Sequence, residues 1–125
     1  MPITRADEAR TWQLPGVTFT ALASPSRGQS EDLSVWRLTV AAGTAPTPHS
    51  VTRTEVFAVI GGRARIAIGD AAPTVVGLGD AIVIPPDTPF ELSTETDPLE
   101  AIVCLPAGGQ AAMPGSAPFT PEWAR

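Results

Sequence analysis

Residues 43–62 read GTAPTPHSVTRTEVFAVIGG and residues 79–94 read GDAIVIPPDTPFELST, and these two stretches decide the fold. In the first, Glu55, Phe57 and Val59 alternate with Val56, Ala58 and Ile60, the period-two spacing of a strand with two different faces. Gly61-Gly62 then supplies two positions that tolerate positive φ, and the pattern predicts a tight hairpin before Arg63. In the second stretch the apolar run 81–84 enters the rigid loop Pro85-Pro86-Asp87-Thr88-Pro89 before residues 90–93 resume a strand.

Working outward, similar short runs occupy residues 17–22, 33–41, 64–68, 75–78 and 99–105, each bounded by Gly, Pro, Asp or Ser. No long helical pattern separates them, so the chain reads as an all-β antiparallel sandwich or barrel. Beyond Gly62, Ala64, Ile66 and Ile68 share one face while Arg63 and Arg65 share the other, which faces water. Ser34, Trp36, Leu38 and Val40 form the inward set of their strand, with Arg37 outward; the reversed register would turn Arg37 inward as a carboxylate clamp. At the N-terminus, Thr4 with Asp7 predicts a short capped helix over 4–12, stopped by Pro15-Gly16. The region 106–118 is rich in Pro, Gly and Ala and reads as an irregular arm. Thr120 as cap and Pro121 at the first position predict a final helical turn, with Phe119 and Trp123 returning to the barrel or to a second subunit. The expected organisation is one domain, with a barrel core over about 17–106, an N-terminal arm 1–16 and a C-terminal arm 107–125.

Composition limits the function. The formal charge is −5, and the eight basic residues, all Arg, are scattered, which argues against nucleic acid and against an anionic membrane surface. With 43% hydrophobic and 17% charged residues the chain has enough apolar material to fold by itself. The single cysteine, Cys104, precludes an internal disulfide and fits a reducing compartment. Without a secretory leader pattern or an apolar run of roughly 18 residues, the expected location is the cytoplasm.

The two opening stretches resemble the cupin superfamily. Its first motif places Gly, His, His, Glu and Gly at fixed spacing, and Gly43, His49, Glu55 and Gly62 stand at four of those positions. In the second motif Gly79 and Pro85 match, whereas Asp87, Phe90 and Thr94 replace Gly, His and Asn. The resemblance, over roughly residues 30–106, implies a double-stranded β-helix, the cupin or jelly-roll barrel, with short helical or irregular ends. In the family three His and one Glu hold a metal inside the barrel; here Val51 and Phe90 occupy two of the His positions. Neither side chain has a lone pair to donate, so the expected protein binds no metal and has no cofactor.

By the same resemblance, Trp36, His49, Val51, Glu55, Phe57 and Phe90 line an apolar cup that takes a small organic molecule. His49 and Glu55 are the candidate catalytic pair, facing each other as base and acid near neutrality, or joined by a purely structural hydrogen bond. That chemistry would suit an isomerase, a cyclase or a lyase. One alternative is a metal-dependent dioxygenase or isomerase holding a divalent metal at His49 and Glu55, with Cys104 as a further ligand. Another is a ligand sensor without chemistry. A homodimer is expected, with Val56, Ala58 and Ile60 as an outward apolar set against a partner or a second sheet.

Overall fold

Strands of four to eight residues cannot bury a face alone, and here they pair throughout in antiparallel fashion. The computed structural model describes residues 2–125. Its strands are β1 (Thr11–Leu14), β2 (Val17–Ala23), β3 (Leu33–Val40), β4 (Ser50–Val51), β5 (Glu55–Ile68), β6 (Thr74–Gly77), β7 (Ala81–Ile84), β8 (Phe90–Ser93), β9 (Leu99–Pro106) and β10 (Ala111–Ala112). A 3-10 turn, Glu122–Ala124, follows. The main sheet runs β1-β2-β3-β9-β5-β6, with β7 and β8 also paired to β5, and β10 pairs β4 in a small second sheet. This is the expected all-β jelly-roll barrel.

The long strand β5 departs from the sequence reading. No hairpin forms at Gly61-Gly62. The strand continues for 14 residues, its first half bonded to β7 and β9 and its second half to β6 and β8. Opposite β9 the register slips between Val59 and Gly61, a bulge that bends the strand between the half paired with β7 and β9 and the half paired with β6 and β8. Gly62 sits just past it with φ +76°, and a Cβ there would lie 1.8 Å from the Pro98 carbonyl oxygen. Gly62 is thus required for close backbone approach and not for reversal, while a Cβ at Gly61 would meet only the Glu100 Cβ at 3.8 Å.

The inward set is as expected. Trp36, Leu38 and Val40 of β3 are buried with Phe57 and Val59 of β5 and Leu99, Ala101, Val103 and Leu105 of β9. Arg37, Arg63 and Arg65 are exposed.

Both arms differ from expectation. Instead of a helix over 4–12 there is a turn at residues 6–8, and the sheet begins at Thr11. So short a helix without an apolar stripe is marginal, whereas β1 gains a full ladder on β2 and its Trp12 ring carries the Arg10 and Arg27 guanidinium groups at 4.8 and 4.9 Å. The C-terminal arm returns to its own barrel. Trp123 stacks on Phe19 with ring centroids 3.7 Å apart, the buried Ser34 hydroxyl donates to the Ala124 carbonyl at 2.6 Å, and Ser24 donates to the Arg125 carbonyl at 2.7 Å. The cap of the final turn is Pro121, in extended conformation, and not Thr120; no side chain caps it. Among the described residues no helix is long and apolar enough to cross a membrane.

Gly62→Ala is expected to destabilise the fold by about 3 kcal/mol or more, since the methyl clashes with backbone and the φ is unfavourable. Chemical denaturation monitored by tryptophan fluorescence measures this, and an unchanged midpoint would contradict the role given to the bulge.

Candidate functional site

The inner side chains of β2 and β3, the start of β5, β8 and the C-terminal arm leave a cavity of about 390 Å³. Trp36, His49, Val51, Glu55, Phe57 and Phe90 all line it, so residues 49, 51, 55 and 90 converge as the sequence suggested. Two residues raised as alternatives do not join them. Arg37 points to solvent. Cys104 has the opposite parity on β9 from the buried Val103 and Leu105, and its cross-strand neighbours are the outward-facing Val35 and Val56. Burial pushes its thiol pKa up, away from the thiolate that a ligand or nucleophile requires.

His49 is held by the residue that replaces a family histidine. Its backbone exchanges two hydrogen bonds with Phe90: the His49 N–H donates to the Phe90 carbonyl at 3.0 Å and the Phe90 N–H returns one at 2.8 Å. The two rings lie 4.3 Å apart at 50°. Phe57 meets Phe90 edge-on at 6.1 Å. Nδ1 of His49 lies 3.0 Å from the Thr47 carbonyl oxygen. A carbonyl can only accept, so Nδ1 carries the proton and a neutral ring keeps its lone pair on Nε2.

The positive-φ corners around the site follow from composition. Asp87 adopts φ +56° where the family pattern has Gly, and its N–H donates to the Val51 carbonyl at 2.7 Å, fixing the loop against β4. Thr94, in place of Asn, is buried; its hydroxyl donates to the Ala41 carbonyl and accepts from the Thr44 N–H at 3.0 Å.

Glu55 is 4% exposed at the start of β5. The expected link to His49 is absent: the carboxyl has neither hydrogen bond nor ion pair among the described residues, and because no fully buried side-chain oxygen there lacks a partner, its oxygens open to the cavity it lines. With no neighbouring cation to oppose it, desolvation raises the Glu55 pKa to about 8. At neutral pH the side chain is therefore a carboxylic acid, a donor as well as an acceptor. The correction to the sequence reading is physical: His49 spends its Nδ1–H on Thr47 and is oriented by Phe90.

The donor set also tests the metal alternative. Catalytic metals usually hold about three protein ligands. His49 and Glu55 supply two, Val51 and Phe90 none, and Cys104 faces away. Among the described residues no three of His, Cys, Asp and Glu come together. The side chains present do not fit a tightly held ion.

From sequence, Phe119 and Trp123 could return to the barrel or to a second subunit, and nothing there indicated that the arm forms a cavity wall. Met113, Phe119, Pro121 and Trp123 all line it, joined by Ala111 of β10. The available signal was two aromatics after a Pro-rich stretch, which by itself does not say what they cover.

Against known proteins, residues 36–105 match the cupin domain family. Comparison with curated proteins by sequence returns no match. Among solved structures, the polyketide cyclase RemF from Streptomyces resistomycificus superposes with a TM-score of 0.77 at 17% identity, over 91% of this chain and 85% of that one. The DMSP lyase DddQ from Ruegeria pomeroyi DSS-3 gives 0.61 at 22%, over 72% of this chain and 43% of that one. Bacillus subtilis oxalate decarboxylase, a protein with Mn(II) centres, gives 0.72 at 20%, over 82% of this chain and 28% of that one. At these identities the likeness is one of fold.

The isolation of Glu55 has a measurable sign. Its folded pKa of about 8 lies above the ordinary 4.5, so the folded state holds a proton that the unfolded chain releases in between. Stability is then greatest below about 4.5 as far as this group is concerned and is lost as pH rises toward about 8, by up to about 1.4 kcal/mol per pH unit. In Glu55→Gln this decline is expected to vanish while contributions common to both proteins remain. Urea denaturation of the two proteins across that range checks it; parallel curves would refute an isolated, buried acid.

Proposed function

The chain belongs to the cupin family, and on that premise we propose that it binds a small organic molecule in the barrel cavity, where Glu55 and His49 act on it as acid and base. The observation that carries this reading is the unpartnered Glu55 carboxyl, buried among Trp36, Val51, Phe57 and Phe90 and open only to the cavity. A carboxyl set in an otherwise apolar wall, with only the cavity to supply a partner, suits the capture of a polar point on a ligand. Most of the wall is apolar, which suits a molecule with a hydrophobic body and a few polar points.

The chemistry follows from the two protonation states. Glu55 gives its proton to a carbonyl oxygen of the ligand as the C=O π pair moves onto that oxygen. The adjacent C–H bond breaks, its electrons form the new C=C bond, and its proton passes to Nε2 of His49. The reverse transfers restore the ketone. Atoms and charge balance without an oxidant or a second substrate, and this proton relay is an elementary step open to isomerases, cyclases and lyases alike. Phe90 acts as a positioning residue for His49 through its two backbone hydrogen bonds and its ring.

A thermal-shift screen of small aromatic ketones, phenols and acids tests the binding. Hits are expected to stabilise the wild type and Phe90→Leu but not Phe90→Arg, which places a cation and its hydration in the cavity. Hits that stabilise Phe90→Arg equally would put binding elsewhere. For ketone hits, deuterium uptake at the carbon beside the carbonyl, followed by NMR, is expected to fall about 100-fold or more in Glu55→Gln and in His49→Ala. Unchanged uptake would remove the acid and base roles.

A further inference from the structure

Resting on the reading of the cavity as a ligand site, we propose that its ligand is uncharged and presents a hydrogen-bond acceptor, a carbonyl or similar oxygen, to the Glu55 carboxyl, and that the cavity turns carboxylates away. The wall carries its own charge inventory. Of the side chains that line the cavity, Glu55 and His49 are the only titratable ones, and no arginine is among them. From β3 come Trp36, Leu38 and Val40, from β4 Val51, from β8 Phe90 and Leu92, and from β9 Leu105. Ile84 of β7, cross-strand from Glu55, is apolar and fully buried. The C-terminal arm adds Met113, Phe119 and Trp123.

Consider each ligand charge in turn. A carboxylate entering this space sheds its hydration against aromatic rings, finds no guanidinium or ammonium group to replace it, and meets a second carboxyl. A cation is also stripped of water and recovers that loss only by drawing the proton off Glu55, against the desolvation that holds it there. An uncharged acceptor faces neither penalty. It takes the Glu55 O–H, which has no acceptor among the described residues, and lays its apolar body against Trp36, Phe57 and Phe90. The ligand's missing charge and the site's missing partner are therefore the same fact.

Three probes of similar shape separate the cases: 2-acetylnaphthalene, 2-naphthoate and 2-naphthylmethylamine, titrated calorimetrically into the full chain. The ketone is expected to bind wild type at least about tenfold more tightly than either ion below pH about 7. Its affinity should then fall by up to about tenfold per pH unit above about 8, as Glu55 ionises. Glu55→Gln keeps an N–H donor and cannot ionise, so it should bind the ketone without that pH dependence, whereas Glu55→Leu should lose about tenfold at low pH. Met113→Arg, at a half-exposed wall position, should raise naphthoate affinity by supplying the absent cation. Naphthoate or the amine binding wild type as well as the ketone, or a ketone affinity indifferent to pH, overturns the charge selectivity while leaving the cavity as a binding site. Failure of all three probes to bind overturns the cavity reading and the selectivity with it.

Discussion

The bend in β5 is the constraint on which the rest of the molecule depends. One strand pairs with two sets of neighbours only if its backbone turns sharply without leaving the hydrogen-bonded ladder, and the bulge beside Gly62 does this where Pro98 leaves no room for a side chain. Because the first half of β5 pairs with β7 and β9 and the second with β6 and β8, the first half supplies Glu55 and Phe57 to the chamber directly, and the second half carries β8, whose Phe90 pairs across from Ile68 and lines the same chamber. The placing of Glu55 relative to Phe90 thus depends on one continuous piece of chain.

Within that chamber the replacement of two family histidines by Val51 and Phe90 changes the chemistry more than it changes the shape. Phe90 retains the histidine's place in the fold, with its backbone bonded to His49, and adds a ring face against the imidazole. What it removes is a lone pair. No cationic side chain offsets the desolvation of Glu55, so burial raises its pKa. The glutamate stands at the motif position of a family metal ligand, with Val51 and Phe90 beside it where the motif has histidines.

Alternation along single strands made the barrel legible in the sequence. The inward parity of Trp36 and Phe57 and the outward parity of Arg37, Arg63 and Arg65 needed only period-two spacing and polarity. Motif spacing identified Glu55 and His49 as neighbours of one cavity, and the same rule of parity, applied to Leu99–Pro106, would have turned Cys104 away from it. Features that depend on contacts between distant segments were not legible. Gly62 looked like a hairpin because its neighbour, Pro98, lies far along the chain. The serine in the apolar set of β3 had no evident purpose until the Ala124 carbonyl arrived over it. The lack of a bond between His49 and Glu55 depends on a carbonyl two residues before the histidine and on a phenyl ring from another strand.

The C-terminal arm has a kinetic consequence. It walls part of the chamber, yet its regular pairing amounts to the two residues of β10 on β4 and one bridge between Ala111 and Phe119. Its far end is tied by the stacked Phe19 and Trp123, by the serine hydroxyls that hold Ala124 and Arg125, and by the Arg27 guanidinium, which donates to the Glu122 and Arg125 carbonyls. Segments of this kind open by local unfolding at far lower free energy than the sheets they cover. On the proposed reading of the chamber as a ligand site, exchange with solvent follows how often this wall opens, and a change at Ser34, which holds Ala124 from outside the cavity lining, alters that frequency without altering the lining.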